Sequence, residues 1–428
     1  MSKRKNDDKA LEELGNVAGS FISSKSISTG TKLLVGGVLA ALVVLVIGGY
    51  LIWNSLQQTP TTQPAPGDDE QQAGQVARED ITPVPGAPNT NLGSGGSANS
   101  DWYELHFTAP KYPDKKEYHQ GGLDTYLVNL MNKAQKTLDV ADYDFDLQDV
   151  TDAMVAAKDR GVRVRMVTDS DTINNTKNAP VQAAFAKLKK AGIPYIGDER
   201  GPIMHNKFTV VDNEWVETGS WNYTDGDTYH LNNNMIIIHN AKLAANYTTE
   251  FEKMFVKKQF GPNKDKGVPN PVIDINGTKV QNYFAAEDGV ADKIVQTIKG
   301  ANKSIYFLAF SFTHEGIGNA IIDKAKAGVK VGGVFETTGS NTPYSEYGKM
   351  KQAGLDVYTD GNPYVMHHKV IIVDERTVIF GSFNFSDNAD KSNDENLLIV
   401  DDPNMAKAFK DEYDRVLNVA KNPPVKKK

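Results

Sequence analysis

The distribution of apolar positions after about residue 100 is typical of α/β proteins. Runs in which apolar and polar residues alternate, as on a strand, are followed by stretches with apolar residues three and four apart, as on one helix face. In the first part of this region the predicted elements are Thr137–Phe145 (strand), Val150–Arg160 (helix), Val162–Thr168 (strand), Val181–Ala191 (helix) and Lys207–Thr218 (a strand pair). We therefore expect an α/β fold.

The same order of elements returns later in the chain, which indicates an internal duplication. The second set comprises Ser304–Phe312, Ile317–Ala327, Val329–Phe335, Ser345–Ala353 and Lys369–Phe380. Six identities share a spacing of 162 residues, namely His205/His367, Lys207/Lys369, Asp212/Asp374, Gly219/Gly381, Ser220/Ser382 and Asn222/Asn384. Upstream, Gly161 and Gly328 are 167 apart, so the first copy has five more residues, which we place near Asp171–Lys177. Such a length change is expected in a loop.

A different pattern lies near the N-terminus. Leu33 to Trp53 holds 21 residues without a charge, and as a helix this segment would be roughly 30 Å long, enough to cross a bilayer. Six lysines or arginines precede it, whereas the first one after it is Arg78. The positive-inside rule then predicts a cytoplasmic tail at 1–32, a transmembrane helix at 33–53 and an extracytoplasmic catalytic part.

Two further segments have the composition of linkers. Segment 54–100 is rich in Gln, Thr, Pro, Gly and Ser and poor in large apolar residues, so the sequence predicts a disordered linker there. Phe260–Lys279 holds three prolines and three glycines, which is typical of an interdomain linker. The two copies would therefore form a first domain at 101–260 and a second at 271–420.

The amino-acid composition restricts the possible reactions and binding sites more than it restricts the possible folds. The chain has no cysteine, which excludes disulfides, thiolate metal sites and a thiol nucleophile. Its formal net charge of -7 argues against a nucleic-acid partner. From Asp101 onward, however, 40 basic residues stand against 45 acidic ones. The folded part is only mildly acidic, so the argument against polyanions is weak.

Each copy carries the same polar motif: His-x-Lys, four residues, Asp, and later Gly-Ser-x-Asn. It reads HNKFTVVDNEWVETGSWN at 205–222 and HHKVIIVDERTVIFGSFN at 367–384. Residues i and i+2 of a strand share a face, so the histidine and lysine of each copy would point into one site. Lysine and asparagine side chains suit phosphate oxygens, while one imidazole can attack phosphorus and the other can protonate the leaving oxygen.

The duplicated motif resembles that of the phospholipase D superfamily, over about residues 105–415. The resemblance implies two α/β sandwich domains related by a pseudo-twofold axis, a covalent phosphohistidine, no metal or other cofactor, and activity as a single chain, because both motifs are present. That family includes phospholipases, cardiolipin and phosphatidylserine synthases, tyrosyl-DNA phosphodiesterases and small endonucleases. The second motif, within 366–400, looks most like the endonuclease-type and other compact bacterial members.

The sequence leaves the substrate open. A membrane anchor favours hydrolysis or transfer of phospholipid headgroups, which is the leading hypothesis. The endonuclease-like motif favours an extracytoplasmic nuclease, and a catalytically inactive module that binds phosphorylated polymers is a third alternative. Trp215, Trp221 and Tyr223 near the first motif would serve a lipid or a nucleic acid.

The resemblance also implies roles for individual residues. The expected catalytic set is His205, Lys207, Asn222, His367, Lys369, Asn384 and Glu395, supported by Asp212, Asp374, Ser220, Ser382 and Asn233. Glu395 matches the family's carboxylate that orients a histidine, whereas Asn233 stands at the equivalent position of the first copy. With Glu395 beside His367, that ring would hold a proton as the general acid and His205 would be the nucleophile. The two motif aspartates are interpreted as turn residues.

The remaining histidines give no indication of a metal site in the sequence. His106, His119, His230, His239 and His314 lack ligand spacing. Each motif histidine stands beside a lysine, an unfavourable neighbour for a cation, and no cysteine is available. We therefore expect no metal ligand.

Overall fold

The computed structural model describes residues 90–91 and 97–424. The predicted tail at 1–32 and transmembrane helix at 33–53 lie outside these residues, as does most of the predicted linker at 54–100. Within the part of the chain that the structure describes, no helix has both the length and the apolar character needed to cross a bilayer.

The described part alternates strands and helices. The strands are β1 (Thr90–Asn91), β2 (Ser97–Asn99), β3 (Tyr103–Phe107), β4 (Lys111–Tyr112), β5 (Thr137–Asp142), β6 (Arg163–Val167), β7 (Tyr195–Ile196), β8 (Lys207–Val211), β9 (Trp215–Gly219), β10 (Leu231–Asn232), β11 (Asn234–His239), β12 (Val272–Ile275), β13 (Thr278–Ala285), β14 (Ser304–Ala309), β15 (Lys330–Phe335), β16 (Asp356–Thr359), β17 (Val365–Met366), β18 (Lys369–Val373), β19 (Thr377–Gly381) and β20 (Glu395–Asp401). The α-helices are α1 (Leu123–Asn132), α2 (Gln148–Asp159), α3 (Ser170–Ile173), α4 (Ala179–Lys190), α5 (Asp225–Tyr229), α6 (Ala241–Phe255), α7 (Val290–Lys299), α8 (Glu315–Lys326), α9 (Thr337–Ser340), α10 (Glu346–Gln352), α11 (Asp387–Lys391) and α12 (Pro403–Lys421).

Two eight-stranded sheets share one topology. The first has the order β2-β3-β11-β9-β8-β5-β6-β7 and the second has the order β12-β13-β20-β19-β18-β14-β15-β16. In each sheet the last three strands are parallel and the others are antiparallel. The predicted α/β duplication is therefore confirmed by the fold.

The strand pair after each His-x-Lys motif is closed by a two-residue turn. β8 and β9 are joined at Asp212 and Asn213, and β18 and β19 at Asp374 and Glu375; the four φ angles lie between 52° and 58°. Two consecutive left-handed residues form the tight hairpin turn whose twist matches that of the strands. This turn fixes the register of β8 and β18, and hence the face on which their lysines lie.

Three buried apolar clusters hold the layers together. One packs α1, α2 and α4 on the first sheet, and another packs α7, α8 and α10 on the second. The third joins residues of both sheets with α6 and α12, whose Phe251 and Phe409 are fully buried. Because this cluster contains side chains from both repeats, the two sheets share a core.

Both predicted linkers contain strands: β1 and β2 lie within 54–100, and β12 with the start of β13 lies within 260–279. Ser97–Asn99 of the predicted 54–100 linker forms β2, which pairs with β3 at the sheet edge. An edge strand is held by backbone hydrogen bonds and needs few apolar side chains, so its composition resembled that of a linker. Within the predicted linker at 260–279, Val272–Ile275 forms β12 and buries Ile273 and Ile275 on one face.

The extra length of the first repeat lies in a helix. α4 has 12 residues and α10 has 7, while Ala179 and Glu346, at their starts, keep the upstream spacing of 167. The predicted insertion in a loop near Asp171–Lys177 is therefore wrong. The added residues lengthen an amphipathic helix that buries Phe185 and Leu188, so the insertion adds core contacts.

Candidate active site

The two motif histidines lie where the backbones of the two repeats pair with each other. Ahead of His367, strand β17 runs parallel to β10 of the first repeat. Ahead of His205, Met204 forms an isolated parallel bridge with Asp394 of the second repeat. The backbone N–H of His367 donates to the carbonyl of Asn232 at 3.0 Å, and that of His205 donates to Asp394 at 2.9 Å. Both histidines are thus fixed at this seam.

The seam gives each histidine a partner from the opposite repeat. Nδ1 of His205 lies 2.6 Å from Oε2 of Glu395, and Nδ1 of His367 lies 2.9 Å from Oδ1 of Asn233. The expectation that Glu395 serves His367 and Asn233 serves His205 is therefore wrong. Glu395 directly follows Asp394, whose backbone pairs beside His205. The partner of each histidine is therefore set by the backbone bridge between the repeats, and not by its position within its own repeat.

A serine of each repeat extends this chain of hydrogen bonds. The Ser382 hydroxyl donates to Oε2 of Glu395 at 2.6 Å, and the Ser220 hydroxyl donates to Oδ1 of Asn233 at 2.8 Å. Each of these oxygen atoms also contacts the imidazole of the other repeat. The serines of the two Gly-Ser-x-Asn motifs therefore hold the partners of the histidines in place.

These partners determine which ring nitrogen carries a proton. An acceptor oxygen beside Nδ1, from Glu395 or from Asn233, requires an Nδ1–H donor. The Asn233 amide is itself oriented, because its Nδ2 donates to the backbone oxygen of Asp227 at 3.1 Å. In a neutral ring with this tautomer the lone pair is on Nε2.

Asp227, in α5, is a site residue that the sequence did not indicate. Its Oδ1 lies 3.4 Å from Nδ1 of His367 and accepts from Nδ2 of Asn222 at 3.0 Å. The equivalent residue of the second repeat is Ala389, so comparison of the repeats hides it. Its sequence context is a capping pattern at the start of α5, where its N–H donates to the hydroxyl of Thr224. The carboxylate favours positive charge on His367.

Lys207 and Lys369 are fully buried and arranged alike. Each Nζ donates to the carbonyl oxygen of the histidine two residues earlier, at 3.2 and 3.1 Å. The ammonium of Lys207 lies 5.2 Å from the ring centre of Tyr143, and that of Lys369 lies 4.7 Å from the ring centre of Phe310. Ring faces stabilise cations. Two fixed positive charges therefore accompany the two histidines, and Asn222 and Asn384 are also buried at 4% exposure.

Asp212 and Asp374 lie at the opposite ends of β8 and β18 from the histidines. Oδ1 of Asp212 accepts backbone N–H groups of Lys136 and Thr137 at 2.7 and 2.8 Å. Asp374 accepts that of Lys303 at 2.7 Å. Desolvation opposes ionisation of Asp374, but the backbone N–H groups outweigh it and lower its pKa. Both side chains close turns.

The first repeat buries a polar cluster beside Lys207. Asp142, Glu217 and Tyr223 are buried; the Tyr223 hydroxyl donates to Glu217 and its backbone N–H donates to Asp142. The equivalent residues of the second repeat are Ala309, Ile379 and Phe385. Burial raises the pKa of Glu217 to about 8, and it raises the pKa of Asp142 well above its usual value although Lys207 opposes this. The two repeats therefore surround their lysines differently.

A cavity of about 1060 Å³ adjoins the site, because Asp227 lines it. Its charged lining consists of Asp124, Asp144, Asp146, Asp149, Asp225, Asp227 and Lys177, together with two histidines. Burial, with a hydrogen bond to Asp149, raises the pKa of Asp124 to about 6, which still leaves it mostly ionised at pH 7. The wall of this cavity is therefore strongly negative.

The aromatic residues considered for substrate contact lie elsewhere. Trp221 is 1% exposed and its Nε1 donates to Thr228 at 3.0 Å. Tyr223 is fully buried in the same core, and Trp215 stacks on His239. These three side chains do not line the acidic cavity.

Two histidines set aside in the sequence meet at this cavity. Nε2 of His119 lies 3.0 Å from Oδ1 of Asp114, and Nε2 of His230 lies 3.1 Å from Oδ2 of the same carboxylate. The sequence expectation concerned ligand spacing along the chain, whereas the fold places both rings against one carboxylate. They come from separate segments that only the fold brings together, so ligand spacing along the chain could not indicate them.

Comparisons with known proteins match both repeats. The family described as "Cardiolipin synthase, PLD-like domain" matches residues 127–255 and 294–417. A phospholipase D of Rickettsia prowazekii (strain Madrid E) is 34% identical over 138 residues, which cover 32% of this chain and 67% of that protein. A mitochondrial cardiolipin hydrolase of Xenopus laevis is 30% identical over 129 residues, covering 30% of this chain and 61% of that protein.

A solved structure shares the architecture of most of the chain. Phosphatidylserine synthase of Haemophilus influenzae Rd KW20 superposes with a TM-score of 0.57, covering 81% of this chain and 90% of that one. At 13% sequence identity this likeness concerns the fold alone.

Proposed function

Because this chain belongs to the phospholipase D superfamily and is a phosphodiesterase of that class, we propose that it cleaves or transfers phospholipid headgroups through a covalent phosphohistidine on His205. The single observation that favours phospholipids over nucleic acid is the acidic cavity beside His367. Proteins that bind nucleic acid neutralise its phosphates with lysine and arginine, whereas six aspartates repel a polyanion. In this proposal a zwitterionic phospholipid places its single phosphate at the His-x-Lys motifs and its ammonium group in the acidic cavity.

The proposed reaction has two displacements at phosphorus. Nε2 of His205 attacks, a P–N bond forms, and the P–O bond to the leaving alcohol breaks while His367 gives that oxygen a proton. A water molecule or another alcohol then gives its proton to His367 and displaces His205, so the P–N bond breaks. The buried lysines and the two motif asparagines would hold the phosphoryl oxygens throughout.

The crossed contacts move Glu395 from His367 to His205, so the argument from a carboxylate beside the general acid no longer holds, and the roles proposed here rest on a different argument. Nδ1–H of His205 donates to Glu395, which keeps the Nε2 lone pair available and stabilises the positive charge that the phosphorylated ring acquires. His367 faces the neutral oxygen of Asn233, with Asp227 at 3.4 Å. This ring can hold a proton and also release it to the leaving group.

A side-by-side assay tests the substrate class. The full chain in detergent is given phosphatidylcholine, phosphatidylglycerol, single-stranded DNA and duplex DNA, with His205→Ala as the control. We expect turnover of phosphatidylcholine above phosphatidylglycerol and none of DNA. Turnover of DNA alone would favour the nuclease alternative, and binding without turnover of any substrate would favour an inactive binding module.

Trapping the intermediate tests the nucleophile. The enzyme is quenched in acid-free denaturant during turnover of a ³²P-labelled phosphodiester, digested, and the labelled peptide is mapped. We expect the label in the peptide that holds His205. Label on His367 would reverse the assigned roles.

We also propose that Leu33–Trp53 anchors the chain in a membrane, with residues 1–32 in the cytoplasm and the catalytic part outside it. The support is the run of 21 uncharged residues and the basic residues that precede it. Cells that express the chain should retain it in membranes after a carbonate wash, and deletion of 33–53 should release it. Protease added outside intact cells should cut the catalytic part; full protection would contradict the orientation.

A further inference from the structure

Three side chains converge at the rim of the acidic cavity. Asp114, His119 and His230 each offer one ligand atom, and these atoms lie within 4.8 Å of one another. Nε2 of His119 and Nε2 of His230 each lie 3.1 Å from the same Oδ2 of Asp114, compared with roughly 3.3 Å between ligands of a tetrahedral ion held at about 2.0 to 2.1 Å. Small side-chain movements would therefore place all three atoms around one ion.

The ligands are held from behind by other side chains. Nδ1 of His119 lies 2.9 Å from Oδ1 of Asp225, the carboxylate–histidine contact that commonly orients a metal-binding imidazole. The His230 ring stacks on Tyr364 at 4.6 Å, and the Tyr364 hydroxyl accepts the backbone N–H of Asp114 at 3.0 Å. Supports of this kind are typical of a built ligand site.

The charge of the cluster also suits a cation. Partial burial opposes ionisation of Asp114, but hydrogen bonds from His230 and His119 outweigh it and lower its pKa. The carboxylates of Asp114 and Asp225 both contact the His119 ring, so the imidazole lies between two acidic groups.

We propose that Asp114, His119 and His230 bind one divalent transition-metal ion, with Zn²⁺ as the best match, at the rim of the acidic cavity. Two imidazoles and one carboxylate suit zinc better than Mg²⁺ or Ca²⁺, which prefer oxygen ligands alone. Three protein ligands leave a fourth position for water or for a substrate oxygen. The ion would join the segment before α1 to the end of α5, the helix that carries Asp227, while the histidines of the motifs perform the displacement at phosphorus.

Metal titration of the full chain tests this site. The chain, in detergent and with any affinity tag removed, is treated with EDTA, freed of chelator, and titrated with Co²⁺ and Zn²⁺ by visible absorption and calorimetry. We expect one ion per chain, with Zn²⁺ displacing Co²⁺. The affinity should fall at least 100-fold in His119→Ala and in His230→Ala. Asp225→Asn, which keeps all three ligands, should lower it about 10- to 100-fold.

Two control variants make the result specific. His239→Ala removes a histidine that stacks on Trp215 away from the cluster, and it should bind the ion like the unaltered chain. A variant with both motif histidines changed to asparagine should also bind it. Melting curves in EDTA show whether each variant folds, and saturating Zn²⁺ should raise the melting temperature of the unaltered chain and of both control variants.

The opposite results would overturn the metal site. The first is the absence of saturable binding to the unaltered chain. The second is an affinity in the folded His119→Ala and His230→Ala variants equal to that of the unaltered chain, and the third is loss of binding when only the motif histidines are changed. In the first two cases Asp114 simply accepts hydrogen bonds from two imidazoles. Turnover of a nitrophenyl phosphodiester is measured separately, so failure of the metal site leaves the proposed phosphodiesterase reaction intact.

Discussion

The crossed pairing of histidines predicts a large and specific effect of Glu395→Gln. Glu395 and His205 are both fully buried, and their Oε2 and Nδ1 atoms are 2.6 Å apart. The glutamine has the same shape but no charge, so it removes the stabilisation of the positive ring formed when His205 is phosphorylated. Charges centred about 4 Å apart at an effective dielectric constant of about 20 interact by about 4 kcal/mol. We therefore expect the phosphorylation rate to fall about 10³-fold.

A burst experiment separates this effect from leaving-group protonation. Bis(p-nitrophenyl) phosphate releases a weakly basic phenolate that needs little help from a general acid, so the rate of its burst reports attack by His205. Glu395→Gln should slow the burst. Asn233→Asp, the matched isosteric change beside His367, should leave the burst rate nearly unchanged and alter turnover of phosphatidylcholine, whose leaving alcohol needs a proton.

The opposite pattern would refute the crossed arrangement. If Glu395 acted on His367, Glu395→Gln would give a normal burst and poor turnover of phosphatidylcholine, and Asn233→Asp would change the burst. Melting temperatures of both variants control for loss of the folded state, because Ser382 and Ser220 also bond to these side chains.

Three further predictions concern buried and cavity carboxyl groups. Burial raises the pKa of Glu217 from 4.5 to about 8, so its protonated form stabilises the folded state below pH 4.5 and this contribution is lost as the pH rises to about 8. In urea unfolding at pH 8, Glu217→Gln should therefore be a few kcal/mol more stable than the unaltered chain. An equal difference in stability at pH 4.5 and at pH 8 would contradict this. Asp212→Asn and Asp374→Asn weaken contacts to turn N–H groups and should each lower the free energy of unfolding by about 1 to 3 kcal/mol, while kcat stays within about twofold. A large loss of kcat in a variant that still folds would instead indicate a catalytic role. Asp149→Asn removes one charge from the cavity wall and should reduce the preference for phosphatidylcholine over phosphatidylglycerol about two- to fivefold; an unchanged preference in the two-lipid assay would remove the support that the cavity gives to a phospholipid substrate.

Features that repeat along the chain were predictable from the sequence. The spacing of 162 residues between His205 and His367 placed two equivalent strand pairs, and the structure has them at β8–β9 and β18–β19. Comparison of the two repeats failed wherever they differ in residue type or in length. Asp227 has no acidic counterpart at Ala389, and the added residues of α4 lengthen a helix because they follow its apolar periodicity.

Contacts between distant segments were not accessible from sequence patterns. The partner of His205 depends on the bridge between Met204 and Asp394, and nothing in the local sequence around either residue indicates that pairing. The cluster at Asp114 has the same origin, since it gathers a loop residue, a second loop residue and the cap of α5. Local patterns report the secondary structure to which a residue belongs, whereas both sites depend on the approach of separate elements.

The seam between the repeats explains how a duplicated chain gives its two motif histidines different partners. Each histidine takes its backbone contact and its Nδ1 partner from the other repeat. Either repeat alone therefore lacks both of these contacts to its own ring. A symmetric pair of identical repeats would give both rings the same partner. Glutamate beside His205 and asparagine beside His367, with Asp227 at 3.4 Å from the same ring, break that equality. The proposed two-step displacement can use this difference, with His205 acquiring positive charge as it bonds to phosphorus and His367 exchanging its proton at each step.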